Sequence, residues 1–414
     1  MKPESGAPGR VLMMVENNSY PRDPRVRREA QALAAAGCTV CIVSPALPGQ
    51  LWHETIGAVE VYRYPAPPLA NGFLAYLYEY SYSMAALFIL SFWIFLNRGF
   101  DVIHVANPPD TLVLIAAFYK LFGKRIIFDH HDLAPEMYYA RFGGQGNHLV
   151  YAVLRWCEKI SCQLADQIIA TNQSYRNIEV KRDHVPAERI TIVRNGPDQN
   201  TMHLADIDAS LRNRAGTILA FAGSIGGHDG VDILLRSLHY LVYDLDHHDV
   251  LCVIVGDGDS LPDLRSLATQ LRLDDYVWFT GWIDDPAVYM RYISTADICI
   301  EPTPSNEYNN ACTTIKIMEY MALGKPIVAF DLPEHRYSAQ SAACYAKPND
   351  ESDLARAVAG LIADPQRRQI MGAAGRNRIG KELAWQYSLP NLMEVYRRLF
   401  PRIPMQKCAS QASD

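Results

Sequence analysis

The nine cysteines among 414 residues fall at no metal-ligand spacing, and their number is odd. Cys41, Cys252 and Cys299 sit inside apolar runs, the setting of buried thiols in a reducing compartment. A disulfide scaffold and a cysteine-ligated zinc module are thereby excluded. The first ten residues, MKPESGAPGR, lack the apolar stretch of a secretory signal, so the domains are expected to face the cytoplasm. No long polar tract interrupts the chain, and 49% apolar with 20% charged residues describes a folded protein throughout. A repeat of solenoid length is absent. There is no basic excess either: the net charge of −6 argues against general nucleic-acid binding, and the acidic surplus falls in the second half. The turn after the first strand, ENNSYPRD, has no GxGxxG, which argues against a nicotinamide oxidoreductase.

What is present is alternation. A chain of this length predicts two domains. Strand-like runs VLMMVE, TVCIVSP, VEVYRY, DVIHVANP, RIIFDHHD, QIIATN and ITIVRNG alternate with amphipathic stretches, and the same grammar restarts at TILAFAG and runs through DVLCVIVGDG, YVWFTGW, DICIEP and PIVAFD. The fold class this predicts is α/β, with two doubly wound parallel-sheet domains facing across a cleft beyond the carboxyl ends of their strands. Domain boundaries are set at 1–198 and 199–381, with a last helix at 382–400 packing back on the first domain and a tail at 401–414. Asp23 and Pro24 open the first helix and Gly37 stops it. Pro390 is expected to kink or split the last one.

The stretch TTIKIMEYMALGKPIVAFD reads as helix, glycine stop at Gly324, and buried strand. Lys316 and Glu319 lie three apart on that helix and can project toward one ligand, a cation and a carboxylate suited to a phosphate beside a sugar diol. The plain alternative is a surface ion pair contributing roughly 0.3 kcal/mol. In FAGSIGGHDG, Gly223, Gly226 and Gly227 would let backbone amides approach a diphosphate ahead of a helix N-terminus; the alternative is an ordinary strand-to-helix turn.

Together with PRDPRVRREAQALAAAG, DVIHVANPPD, IIFDHHDLAPE and ITIVRNGPD, these motifs resemble glycosyltransferase family 4, of the GT-B fold with two Rossmann-like domains, and its bacterial surface-polysaccharide subgroup. The resemblance covers nearly the whole chain. It implies a retaining transfer of a sugar from a nucleotide-sugar donor, with no cofactor and no metal, to a glycan or lipid-linked acceptor. The alternatives carried beside it are a sugar-nucleotide epimerase of the same fold and an inactive partner in a polysaccharide assembly complex.

By the same resemblance Lys316 meets the diphosphate, Glu319 holds the ribose hydroxyls, and His131 with Asp132, just past a strand end, lies at the reacting sugar. Two departures are plain. Ser224, counted with the loop glycines among the donor contacts, stands where many relatives carry Arg, and Ala311 where a second Glu contacts the donor sugar, so backbone amides at Cys312 and Thr313 are expected to serve instead. Arg25 and Asn195 are implied as acceptor or hinge contacts. Asp129 and Glu136 are read as orienting His131 or capping the next helix, His104 as a packed strand residue, and Asp110 as a helix cap.

Residues 80–97, YSYSMAALFILSFWIFLN, carry no charge. Three readings stay open: a spanning helix, a buried helix of the first domain, or an interfacial helix exposing Trp93 and its neighbours to lipid, with Arg98, Lys120, Lys124 and Arg125 on anionic headgroups. The last places the protein peripherally on the inner face of the cytoplasmic membrane.

Overall fold

The computed structural model describes residues 9–67 and 73–400; the tail expected at 401–414 lies outside them. Its contacts divide the chain into two units, Met1–Tyr138 with Gly146–Arg194 and Leu389–Asp414, and Tyr139–Gln145 with Asn195–Ser388.

The first unit opens with β1 (Arg10–Met14), α1 (Pro24–Ala35), β2 (Thr39–Ala46), β3 (His53–Ile56), β4 (Val59–Pro65) and α2 (Phe73–Asn97). It continues through β5 (Val102–Ala106), α3 (Leu112–Lys120), β6 (Arg125–His130), α4 (Ala134–Arg141), α5 (His148–Leu164), β7 (Gln167–Ala170), α6 (Gln173–Lys181) and β8 (Ile190–Ile192). Asp23 caps α1 by accepting from the amides of Arg25 at 2.9 Å and Val26 at 3.0 Å, and Gly37 beyond its end takes φ +91°. The sheet runs β3-β4-β2-β1-β5-β6-β7-β8. Its pairs are parallel except β3 on β4, a short edge strand that the sequence pattern does not announce. Every residue of β5 is buried, as a strand covered on both faces requires. The order reverses at β1, which has β2 on one side and β5 on the other, so the carboxyl ends of β1 and β5 mark where such a sheet takes ligands.

In the second unit α7 (Ala209–Arg212), β9 (Thr217–Ala222), α8 (Val231–His239), β10 (Val250–Val255), α9 (Leu261–Gln270), β11 (Val277–Gly281) and α10 (Pro286–Thr295) come first. Then follow β12 (Ile298–Glu301), α11 (Glu307–Ala311), α12 (Ile315–Ala322), β13 (Ile327–Phe330), α13 (Pro333–Ala339), β14 (Ala343–Ala346), α14 (Glu351–Ile362) and α15 (Pro365–Arg378). Its sheet is parallel, in the order β11-β10-β9-β12-β13-β14, and reverses at β9. Alternation along β9 explains why both faces are covered: Leu219 and Phe221 pack with Leu234, Leu238 and Leu354, while Ile218, Ala220 and Ala222 pack with Met318, Met321 and Ile379.

The last helix, α16 (Trp385–Leu399), runs through Pro390 unsplit, and from Leu389 it belongs to the first unit. Asp110 does not cap α3: Thr111 stands at the N-cap, and the Asp110 carboxylate accepts from Asn107 Nδ2 at 2.8 Å instead.

Candidate active site

At the carboxyl edge of the first sheet, β6 carries Asp129 and His130 and releases the chain at His131. Strand alternation sends the two histidines apart. His130 is fully buried, its Nδ1 2.9 Å from Glu179 Oε1; burial opposes its charge, but Glu179 and Glu158 lift it to about 9. It is a structural cation. His131 remains partly exposed and turns Nε2 onto the Asp129 carboxylate. A carboxylate only accepts, so Nε2 carries the proton and Nδ1 is left to accept from a hydroxyl.

Asp129 is itself held. Arg25 spans both its oxygens, Nε to Oδ2 at 3.1 Å and Nη2 to Oδ1 at 2.6 Å. Burial would raise the carboxyl, yet Arg25 and then His131 bring it well below the usual range. Arg25 is only 3% exposed, and its remaining Nη1 donates to the Val193 carbonyl at 2.8 Å. The guanidinium expected as an acceptor or hinge contact is thus engaged within its own unit, where it fixes Asp129. Behind it Glu29 is held well above its ordinary value by burial, and His104 is held neutral by burial, with Nδ1 2.6 Å from the Tyr396 hydroxyl and Nε2 3.4 Å from Asp129. Glu29, His104 and Asp129 bring ligand atoms within 4.8 Å of one another, the separation of a metal trio. The Arg25 guanidinium already meets that negative charge, 3.2 Å from Glu29 and 2.6 Å from Asp129.

The backbone after β6 is clamped by a residue that sequence reasoning missed. Asn107 accepts from the amides of His131 at 2.5 Å and Asp132 at 3.2 Å and donates to the Asp132 carbonyl at 2.7 Å. Its signal is an amide side chain directly after a buried strand. Glu136 orients nothing at His131: it pairs with Arg182 and accepts from Tyr151 at 3.3 Å.

In the second unit the residues gather where β9 and β12 end. Gly223 has φ +149°, and a Cβ there would lie 2.7 Å from Lys316 Cδ. Gly226 donates its amide to Asp229 Oδ2 at 3.0 Å, and Gly227 has open space where a side chain would stand. Ser224 is exposed. Lys316 Nζ lies 3.0 Å from Asp229 Oδ1, 3.8 Å from Glu301 Oε2 and 4.6 Å above the Phe221 ring. Burial would lower its pKa, but Glu301 and Asp229 raise it, so it is a fixed cation. Glu319 takes a different partner, accepting from Tyr289 Oη at 2.6 Å.

Asp229 and the fully buried Glu301, both passed over in the sequence, are therefore part of this site. Thr313 Oγ1 donates to the nearly buried Glu334 at 3.2 Å, and Thr314 lies 3.2 Å from His335 Nε2. The Cys312 amide is spent on the carbonyls of Tyr308 and Asn309, at 3.1 and 3.3 Å, so it is no free donor for a sugar. Ala311 is buried. Asn195 opens the second unit, at the passage from the first.

Comparison with known proteins gives each unit a family. Residues 216–364 match the family described as Glycosyl transferases group 1, and residues 23–196 match the Glycosyl transferase 4-like domain. Among curated relatives, an alpha-maltose-1-phosphate synthase of Mycolicibacterium smegmatis is 28% identical over 67% of this chain and 74% of its own. A phosphatidyl-myo-inositol mannosyltransferase of Mycobacterium leprae is 26% identical over 89% and 90%. An O-antigen biosynthesis glycosyltransferase, WclY, of Escherichia coli is 22% identical over 57% and 62%. The solved sucrose-phosphate synthase of Thermosynechococcus elongatus superposes with a TM-score of 0.76 at 19% identity, covering 95% of this chain and 99% of that one, which speaks to the fold alone.

Proposed function

This chain belongs to the glycosyltransferases, group 1 in its second unit and 4-like in its first, and from that premise we propose that it is a retaining enzyme of cell-surface polysaccharide biosynthesis. It moves one sugar from a nucleotide donor to a glycan or lipid-linked acceptor, on the inner face of the cytoplasmic membrane. The O-antigen and phosphatidyl-inositol relatives support that choice of acceptor class.

The observation that carries the reading is the set at the ends of β9 and β12. A nucleoside diphosphate leaves only if its growing charge is met by donors already in place. Lys316 supplies a full charge, held in position by Asp229 and Glu301, and the close approach at Gly223 admits the phosphates to backbone amides near the start of α8. We assign the leaving charge to these groups, with no metal ion required. Glu319, already an acceptor for Tyr289, takes the ribose hydroxyls. His131, with Nδ1 free to accept, manages the acceptor hydroxyl proton.

Calorimetry tests the donor assignment. Lys316→Ala and Glu319→Ala should each weaken nucleotide-sugar binding by roughly 1.5 to 3 kcal/mol, the range for hydrogen bonds to charged groups. Unchanged affinity in both variants overturns it. Retention is checked by the anomeric coupling of the product in proton NMR, and an inverted product refutes that part.

A further inference from the structure

We propose that the outer face of α2, α3 and α5 in the first unit is a docking surface for an anionic lipid bilayer. Among the described side chains of α2, from Tyr78 on, only a narrow stripe is covered, with Ser83, Leu87, Ser91 and Ile94 buried. These recur at helical spacing and face the unit's own layers. The opposite side is left in water with its largest apolar groups: Ile89 is 65% exposed, Trp93 42% and Leu96 66%. Single exposed leucines need no explanation, but these are continuous with their neighbours.

Phe88 and Phe92 meet Phe118 of α3 with ring centroids 5.3 and 6.2 Å apart, and Phe95 meets Phe122 at 5.3 Å. Just past α3, Leu121 is 81% exposed and Phe122 51%. Leu114 of α3 then lines a small cavity together with Trp156 of α5, itself 61% exposed beside the exposed Leu149 and Val153. The apolar face thus runs over three helices.

The occupant is argued from charge. Where α2 and α3 end, the surface turns basic: Arg98 and Arg125 are 58% and 60% exposed, and Lys124 holds Nζ 5.6 Å over the Phe95 ring. Glu60, Asp101 and Asp166 face these cations, but Lys120 and Arg10 are there too, so the rim keeps a positive balance on a chain whose net charge is −6. Apolar bulk bordered by cations fits an anionic membrane surface. A second copy fits worse, because a two-fold contact through this face sets like-charged rims against each other. Crossing the bilayer is excluded, since β4 before α2 and β5 after it lie in one sheet. The proposal deepens the lipid-linked acceptor reading and rests on it only for its biological purpose.

Flotation of the full chain with vesicles tests it. Wild-type protein should float with phosphatidylglycerol-containing vesicles, less so with pure phosphatidylcholine, and lose binding as salt rises. Leu121→Glu with Phe122→Glu should cut the bound fraction about tenfold or more, each removing buried apolar surface from the lipid. Circular dichroism and donor affinity should stay as in wild type. Lys316→Ala should float normally, so failure of the donor site and failure of this surface are told apart. Wild-type protein that never floats overturns the proposal. So does sedimentation showing a dimer that the Leu121/Phe122 variant dissolves, because the face would then belong to a second copy.

Discussion

At the scale of single residues, the first unit contrasts two adjacent histidines with opposite duties. His131 keeps a face to solvent, and Asp129 fixes its tautomer. Removing the imidazole in His131→Ala should slow transfer on the order of 10²-fold, as loss of acid–base assistance does, with donor affinity little changed. Full activity removes His131 from the mechanism. Asp129→Asn should also slow transfer while moving the pH–rate profile, because the amide no longer dictates which ring nitrogen carries the proton; a purely structural Asp129 would leave the profile in place. His130 gives a pH test of stability. Its folded value of about 9 lies above the ordinary 6.5, so its contribution is complete below pH 6.5 and is lost as pH rises through 9. The stability advantage of wild type over His130→Gln should therefore shrink by ~3 kcal/mol across that window in urea titrations. A gap that stays constant would mean His130 is neutral in the fold. The sequence showed the pair HisHis at a strand end. Which one keeps a face to solvent follows from register, which alternation alone leaves ambiguous by one residue.

At the scale of elements, what could be read from sequence was what a short local pattern enforces. Asp23-Pro24 had to open a helix and Gly324 had to end one, and they do, Gly324 with φ +65°. β3 and β14 escaped because HETI and ACYA lack a run long or branched enough to announce a strand; they exist because a sheet edge was there to pair with. Pro390, expected to kink or split the last helix, does not split it. Its missing N–H costs one bond in α16, and a helix whose Leu392, Val395 and Tyr396 are buried tolerates that loss. Asp229, Glu301 and Asn107 were missed for a different reason: their roles arise from contacts 87, 15 and 24 positions away along the chain. The loop after β9 is the element to test. Gly223→Ala would place a methyl 2.7 Å from Lys316 Cδ on a backbone at φ +149°, so it should cost roughly 1 to 3 kcal/mol of stability. Donor affinity should fall further still, in calorimetry on the folded fraction, because Lys316 is displaced. Wild-type affinity in that variant would mean the glycine serves only the turn.

At the scale of the whole molecule, each unit repeats one device: a parallel sheet that reverses its order, with the chemistry-bearing residues set at the carboxyl ends beside the reversal. In the first unit these are the His131 group and its Asn107 clamp; in the second, the Lys316 group. The two sets differ in electrical character. The first is organised around a hydrogen-bonded imidazole and the second around a fixed ammonium, which is why the donor diphosphate is assigned to the second. That assignment has a thermodynamic consequence for the intact chain. A ligand that binds only the folded state stabilises it by about 2.7 kcal/mol at a hundredfold excess over its dissociation constant. For a unit of this size each kcal/mol raises the midpoint by about 2–4 °C, so the correct nucleotide sugar should raise the second unit's thermal transition by about 5–10 °C. Lys316→Ala should abolish that rise for the same compound at the same concentration, whereas His131→Ala should preserve it. A panel of nucleotide sugars in which none shifts the wild-type transition would contradict the donor assignment. A shift lost in His131→Ala and kept in Lys316→Ala would transfer the donor to the first unit.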